Sequence, residues 1–168
     1  MGCKRRWAEL GQLKKKILVA LLMAAALGIT TIVLKSNGET ALAKNLGIEG
    51  GRLKPCPDRQ NCRNSDDPQE RFQIEAIEDT EGSKWHLIAE VMASLPRVKL
   101  VEETEDYLHF TQTSGFFHFV DDIEFHNRPE TRQIAIRSAS RLGYRDFGVN
   151  QARLDDIDER LNLQSEEH

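Results

Sequence analysis

The segment FFHFVDDIEF, residues 116–125, decides the fold, because apolar and polar side chains alternate along most of it. Successive side chains of an extended strand point to opposite faces of a sheet. One face therefore carries Phe117, Phe119, Asp121, Ile123 and Phe125, and the other carries Phe116, His118, Val120, Asp122, Glu124 and His126. The aromatic row of the first face predicts a strand whose phenylalanines pack into a core beneath a helix.

Similar patterns on both sides of this strand predict the other elements of a small domain. Apolar residues at helical spacing between Trp85 and Leu95 predict a helix that Pro96 ends. Further strands are predicted at 71–77, 98–103, 107–113 and 133–141, and a last helix, capped by Asn150, has Leu154, Ile157 and Leu161 on its apolar face. This order predicts an α+β fold in which an antiparallel sheet of about five strands is packed by two helices.

The amino-terminal region has the pattern of a membrane anchor. Residues 17–34, ILVALLMAAALGITTIVL, contain no charge, and as a helix they would span roughly 27 Å of a lipid bilayer. Six lysines and arginines against one glutamate precede this run in residues 1–16, and short basic flanks stay in the cytoplasm. We predict a basic cytoplasmic prefix at 1–16 and one transmembrane helix at 17–34. The alternative is a secretory signal that is cleaved after Ala43.

The part of the chain beyond this apolar run is acidic. The whole chain has a formal charge of −4 and the prefix carries +5, so the residues from Lys35 onward carry the difference, −9. Such a domain is a poor ligand for nucleic acid, and none is expected as a partner. We predict a tether at 35–54, a domain at 55–163 and a polar tail at 164–168, all on the periplasmic, or otherwise extracytoplasmic, side of an inner (plasma) membrane.

Cys56 and Cys62 lie close together at the start of the predicted domain. Outside the cytoplasm, such a pair is expected to form a structural disulfide. The spacing differs from the C-x-x-C of redox-active pairs, and further metal ligands are lacking nearby in the sequence. Redox and metal-binding roles stay open as alternatives.

Polar residues concentrate on the 116–125 strand, on the strand after it and in the loop that follows. Asp121 lies in an apolar row, where an isolated carboxylate is costly, and arginines at 137 and 141 are candidate partners across the sheet for the carboxylates of this strand. The candidate polar network or ligand site comprises Asp121, Asp122, Glu124, Arg137, Ser138, Ser140, Arg141, Tyr144, Asp146, Asn150 and Arg153. These residues are interpreted as a structural network, as a pocket for a small anion or polar ligand, or as an acid–base site.

No established catalytic motif accompanies these residues. The sequence contains neither G-x-S-x-G nor H-E-x-x-H, and it lacks a phosphate-binding loop. We therefore assign no catalytic residue, metal or cofactor, and favour a non-enzymatic module that binds a protein partner or a small polar ligand, or that assembles a membrane complex. The alternative is a hydrolase or lyase built on Asp121, Asp122 and Glu124. Arg137 and Arg141 would then supply the positive charge.

Three ordered segments carry a resemblance to a known family. They are CPDRQNC at 56–62, FVDDIEF at 119–125 and IRSASRLGYRDFGVNQARL at 136–154, and together they resemble the domain of unknown function 1499 family over about residues 55–163. The family's opening, C-P-x-x-P-N-C-V-S-S, is matched in part: Gln60 replaces the second proline, Asn61 is kept, and the residues after Cys62 differ. The resemblance implies a small domain that is often exported or membrane-tethered. It implies no reaction, ligand or catalytic residue.

Overall fold

A computed structural model describes residues 14–30, 32, 45–116 and 118–166 of the chain. Residues 14–30 are helical (α1), and the large apolar side chains of this helix are exposed. Across the described ranges, none of the helices combines enough length with enough apolar character for a membrane span. The predicted transmembrane helix also includes residues 31, 33 and 34, which lie outside the described residues, as does the predicted prefix through residue 13.

The chain divides into two compact units, Met1–Asn37 and Gly38–His168. The second unit contains the predicted α+β domain. Its described elements, in chain order, are β1 Ile48–Glu49, β2 Arg52–Leu53, β3 Cys62–Asn64, a 3-10 helix Glu70–Phe72, β4 Ile77–Glu78, α2 Lys84–Ser94, β5 Val98–Glu103, β6 Tyr107–Thr113, β7 Val120–Arg128, β8 Gln133–Ser140 and α3 Val149–Glu166. The predicted fold class and both helices of the domain are confirmed, and β5 and β6 have the predicted bounds.

An antiparallel sheet lies at the centre of this domain. Within the described residues it has six strands, where about five were predicted, in the order β3-β8-β7-β6-β5, with β4 also paired to β8. Short hairpin connections join β5 to β6, β6 to β7 and β7 to β8, so these consecutive strands lie side by side. The register sets Glu124 of β7 opposite Arg137 of β8, and Asp122 opposite Ala139.

One face of the sheet is covered by α2 and α3. Ile123 and Phe125 of β7 lie in this core with apolar residues from both helices, and Phe125 meets Phe110 edge to face at a centroid distance of 6.0 Å. The apolar faces of the helices supply Ile88, Val91, Met92, Leu154, Ile157 and Leu161, all of which are buried. Burial of each such side chain contributes roughly 1.5–3 kcal/mol, so this layer is the main source of stability.

The opposite face of the sheet is covered by residues 45–72, which we name the amino-terminal strap. Leu53 packs on Tyr107 and Ala135, and the Cys56–Cys62 disulfide packs with Phe72 on Ala139. The disulfide joins Cα atoms 5.8 Å apart and confirms the predicted pairing. Because the strap lies over this face, polar residues of β6, β7 and β8 that point away from the helices are also buried.

The predicted strand at 116–125 begins too early. In the structure β7 starts at Val120, a turn at Gly115 and Phe116 follows β6, and the Ser114 amide donates to the Phe119 carbonyl at 2.8 Å. His118 has a positive φ of 54°, which ends the extended conformation. Phe119 is consequently 42% exposed rather than part of the core, whereas Phe125 is buried as predicted. Phe117 lies outside the described residues.

Three other predicted boundaries are corrected. The 71–77 strand is replaced by the 3-10 helix and the two-residue β4, because the Asp67 carboxylate accepts from the Gln69 amide and starts a turn. The tether does not continue to residue 54, since residues 45–54 belong to the strap and Leu53 is only 2% exposed. At the other end, α3 continues to Glu166, so part of the predicted polar tail is helical.

Candidate functional site

The sheet divides the predicted polar residues into two groups. Asp121 and Asp122 are neighbours in sequence, so their side chains leave β7 on opposite faces. Asp121 points to the layer of α3, and Asp122 and Glu124 point to the strap. The predicted cluster is therefore two separate networks, and a centre that joins all three carboxylates is not assembled.

The first network lies between the sheet and α3. Arg153 of α3 pairs with Asp121 and also donates from Nη1 to Ser138 Oγ at 2.8 Å. Arg153 Nε donates to Gln112 Oε1 at 2.7 Å. The partner of Asp121 thus comes from a helix, because the arginines of β8 lie on the other face of the sheet.

Asn150 is the centre of this network and is fully buried. Its amide nitrogen donates to the Asn61 carbonyl at 2.9 Å, to Asp146 Oδ2 at 2.7 Å and to Ser140 Oγ at 3.2 Å. Its Oδ1 accepts from Ser138 Oγ and from Arg153 Nη1, both at 2.7 Å. One side chain therefore joins the strap, β8 and α3.

The residue that caps α3 differs from the predicted one. Asn150 is inside α3, and Asp146 serves as the capping side chain because its carboxylate accepts from the amides of Gly148 and Asn150. Partial burial raises the pKa of Asp146, but those hydrogen bonds outweigh it, so the pKa lies below its ordinary value. Asp146 is a structural residue of the first network.

The second network lies under the strap. Glu124 forms an ion pair with Arg137, and it accepts hydrogen bonds from Tyr107 Oη and from the Gly47 amide, each at 2.7 Å. Glu124 is 0% and Arg137 is 1% exposed, and among the described residues Arg137 Nε has no partner. Burial and the Glu124 charge raise the pKa of Tyr107 well above its ordinary value, so its hydroxyl stays a donor.

Asp122 of the second network holds a histidine and an arginine. His109 Nε2 lies 2.8 Å from Asp122 Oδ1, and Arg141 binds both carboxylate oxygens at 2.8 and 2.9 Å. Burial alone would raise the pKa of Asp122, but the hydrogen bonds from His109 and Arg141 and the charge of Arg141 outweigh it. The pKa of Asp122 therefore lies below its ordinary value, and the group is a carboxylate at neutral pH.

Asp122→Asn is expected to lower the free energy of unfolding at neutral pH. It should also make that free energy depend less on pH in the acid range. A carboxyl group with a depressed folded pKa stabilises the fold above its unfolded pKa of about 3.9, and this contribution is lost as the pH falls through the folded value. At neutral pH the variant should lose about 2 kcal/mol, because His109 and Arg141 lose their charged acceptor. Urea denaturation across the acid range measures the gap to wild type, and a gap that does not narrow below about pH 4 contradicts the assignment.

A cavity opens beside the second network, at the end of the sheet where β5 turns into β6. Its volume is about 570 Å³, and it is lined by Leu46, Gly47, Ile48, Val101, Glu102, Thr104, Asp106, Tyr107 and His109. Glu102, Thr104 and Asp106 are exposed and form its rim, whereas Tyr107 and His109 are buried and form its floor. The cavity therefore connects solvent to His109. One ring nitrogen of His109, Nε2, is held by Asp122.

Most of the domain matches a known protein family. A family model described as Protein of unknown function (DUF1499) matches residues 52–161. The chain belongs to the DUF1499 family. No curated protein and no solved structure matches the chain. The DUF1499 match includes the disulfide, the side chains of both buried networks and the β5–β6 side of the cavity, and it begins after Leu46, Gly47 and Ile48.

The kept asparagine of the DUF1499 opening has a structural role. Asn61 Nδ2 donates to the carbonyls of Ser140, Leu142 and Gly143 at 3.1, 3.3 and 2.9 Å. These bonds tie the disulfide loop to the segment that leaves β8. The motif residue Tyr144, by contrast, is 61% exposed and belongs to neither described network.

Sequence reasoning missed the floor of the cavity. Tyr107 and His109 lie two residues apart on β6 and share a face with Asp122 and Glu124, which the alternation of β6 and β7 would indicate once their register is known. The predicted contact of Glu124 and Asp122 with Arg137 and Arg141 is found, as Glu124–Arg137 and Asp122–Arg141. The cavity itself has no local signal, because the strap supplies one of its walls.

Proposed function

We propose that the chain is a membrane-tethered, non-enzymatic binding module of an extracytoplasmic space, and that the cavity on the β5–β6 side is its ligand site. One observation carries the binding role. The carboxylates and arginines that an acid–base enzyme would use are enclosed in salt bridges, while an open cavity with exposed carboxylates at its rim lies beside them.

The enclosure of the charged groups favours binding over chemistry. Asp122 and Glu124 are 0% exposed, and each carboxylate is held by an arginine and by a further side chain. A carboxylate that takes part in proton transfer must reach its substrate directly or through one water molecule. These groups instead hold Tyr107 and His109, the floor of the cavity, in place. A rigid floor lowers the entropic cost of binding.

The membrane tether is supported by two independent features. The basic prefix and the apolar run of 17–34 have the pattern of a signal anchor with its amino terminus in the cytoplasm. The Cys56–Cys62 disulfide is typical of a domain in an oxidising compartment. Protease added to intact spheroplasts should remove the domain. A domain that resists protease there, yet is digested after detergent lysis, contradicts this topology.

The binding role is tested by blocking the cavity in the full chain. Val101 lines the cavity and is 52% exposed, so Val101→Trp should fill part of it without disturbing the core. The matched control is Leu100→Trp, because Leu100 is 41% exposed and does not line the cavity. A thermal-shift screen of membrane metabolites should give ligands whose stabilisation is lost in Val101→Trp and kept in Leu100→Trp. Equal stabilisation in both variants rejects the cavity as the site.

A second candidate is an acid–base enzyme centred on His109. It is favoured by the 2.8 Å contact of His109 Nε2 with Asp122, which would orient the ring toward a substrate in the cavity. This candidate replaces the predicted hydrolase or lyase site, because Asp121 lies on the other side of the sheet. Turnover that is lost in His109→Gln while thermal stability and ligand binding are kept would favour the enzyme over the binding module.

A further inference from the structure

We infer that the cavity on the β5–β6 side takes a small organic cation, such as a primary ammonium with an attached hydrocarbon portion. This inference rests on the proposed function and names its ligand class. It depends on the charge of the rim, on the hydrogen-bonding character of the floor and on the apolar part of the wall.

The rim of the cavity is negatively charged. Glu102 and Asp106 contribute carboxylates, and no lysine or arginine is among the residues described as lining it. Lys99 shares a strand with Glu102 but lies outside the lining. A cation at the rim would therefore meet two acidic groups and no basic one, and an anion would be repelled.

The histidine beside Asp106 does not neutralise the rim. His126 Nε2 lies 3.9 Å from Asp106 Oδ2, but burial and the charge of Arg128 hold the pKa of His126 below its ordinary value. Arg128 Nε also approaches His126 Nδ1 at 3.3 Å, and Arg128 is itself paired with Asp66. His126 is consequently neutral near physiological pH, and the Asp106 charge faces the cavity uncompensated.

The floor of the cavity offers an acceptor. The His109 side chain is 6% exposed and lines the cavity, and in the tautomer that pairs with Asp122 the proton on Nε2 is donated to the carboxylate. The other nitrogen, Nδ1, is then an acceptor, and the described residues supply no hydrogen bond to it. An acceptor at the floor of a cavity is suited to an N–H donor of the ligand.

The donors around the floor are already used. Tyr107 Oη and the Gly47 amide both donate to Glu124, and Thr104 Oγ1 lies 3.1 Å from Asp106 Oδ1. These groups direct their hydrogens to carboxylates of the protein rather than to a ligand. The polar surface of the cavity is therefore dominated by acceptors, which is complementary to an ammonium group with three donors.

An organic cation fits this lining better than a metal ion. Among the described residues, no group of three or more His, Cys, Asp or Glu side chains is arranged to hold a metal. Leu46, Ile48 and Val101 add apolar surface that a hydrated metal ion would not use. A volume of about 570 Å³ also exceeds what one ion needs and lies in the range of small-molecule sites.

The test compares three probes of one shape, n-pentylammonium, n-pentanol and n-pentanoate, with the full chain in detergent micelles. Binding is followed by the ring carbon-bound proton resonances of His109, which are assigned with the His109→Gln variant. We expect pentylammonium to shift these resonances and to bind about tenfold more tightly than pentanol, as two rim ion pairs allow. Pentanoate should not bind.

Two variants distinguish an effect of the rim carboxylates from an effect of the overall negative charge of the domain. Glu102→Gln combined with Asp106→Asn should remove the tenfold preference for pentylammonium, whereas Glu103→Gln should keep it. Glu103 is an exposed neighbour on β5 that does not line the cavity and has the same charge. Circular dichroism of both variants should match wild type, because all three side chains are exposed.

The possible failures are distinguishable. Equal binding of pentylammonium and pentanol, or tighter binding of pentanoate, overturns the cation assignment and leaves the cavity as a ligand site. If none of the three probes moves the His109 resonances and the metabolite screen finds nothing sensitive to Val101→Trp, both the ligand class and the proposed binding role are overturned.

Discussion

Arg137→Met is expected to lower the free energy of unfolding by about 3–5 kcal/mol, because it leaves the Glu124 carboxylate buried without its cation. Glu124 is 0% exposed, and its remaining donors, Tyr107 Oη and the Gly47 amide, are uncharged. Methionine keeps most of the apolar volume of the arginine stem, so the loss reports on charge rather than on a cavity. Urea denaturation at neutral pH measures it.

A double variant separates the charge from the shape of this site. In Glu124→Gln with Arg137→Met, the glutamine oxygen can still accept from Tyr107 and Gly47, and no charge is left buried. We expect the double variant to be more stable than Arg137→Met by roughly 1–3 kcal/mol, since neutral replacements of buried ion pairs are often tolerated. A double variant as unstable as the sum of the two single variants would show that the charges are not coupled.

Asn150→Leu is expected to cost about 3 kcal/mol or more, because several buried polar groups lose their partner together. The Asn61 carbonyl loses a donor, and Ser138 Oγ and Arg153 lose the acceptor Oδ1. The strap should be released first, since Asn150 joins it to α3. Hydrogen exchange of the strap amides, measured beside the unfolding free energy, detects this local release.

Two further substitutions test whether the geometry of Asn150 matters rather than its location in α3. Asn150→Asp keeps the shape but turns a carboxylate oxygen toward Asp146, so it should be about as destabilising as Asn150→Leu. Gln151→Leu changes the next residue, whose amide only meets Asp155 on the exposed side of α3, and it should change stability by less than about 0.5 kcal/mol. A stable Asn150→Asp variant would contradict the hydrogen-bond pattern described for Asn150.

The local sequence pattern was sufficient to predict helices and strands where a residue's neighbours in sequence determine its conformation. Apolar spacing and Pro96 gave α2, and alternation around the Glu105–Asp106 turn gave β5 and β6. Pattern was insufficient where a turn interrupts an alternating run, as at Phe119, because backbone conformation at His118 has no clear signal in residue type. The predicted arginine partners were found for Asp122 and Glu124, whereas Asp121 pairs with an arginine of α3.

The candidate site could be predicted in part for the same reason. Sequence alternation separated Asp121 from Asp122 and Glu124, and it made Arg137 and Arg141 candidate partners of all three carboxylates without fixing which carboxylate meets which arginine. It did not give Arg153 as the partner of Asp121, because that contact depends on how α3 lies on the sheet. Nor did it give His109, whose role depends on the register between β6 and β7.

The amino-acid sequence by itself determined the fold class, the disulfide, both helices of the domain, the family and the faces of the central strands. Only the tertiary structure decided that both faces are covered, and that a cavity remains where the strap passes the β5–β6 turn. The physical reason is distance along the chain. Glu124 bonds to Gly47 across 77 residues and Asn150 to Asn61 across 89, and contacts of this range follow from packing of the whole domain rather than from any local pattern.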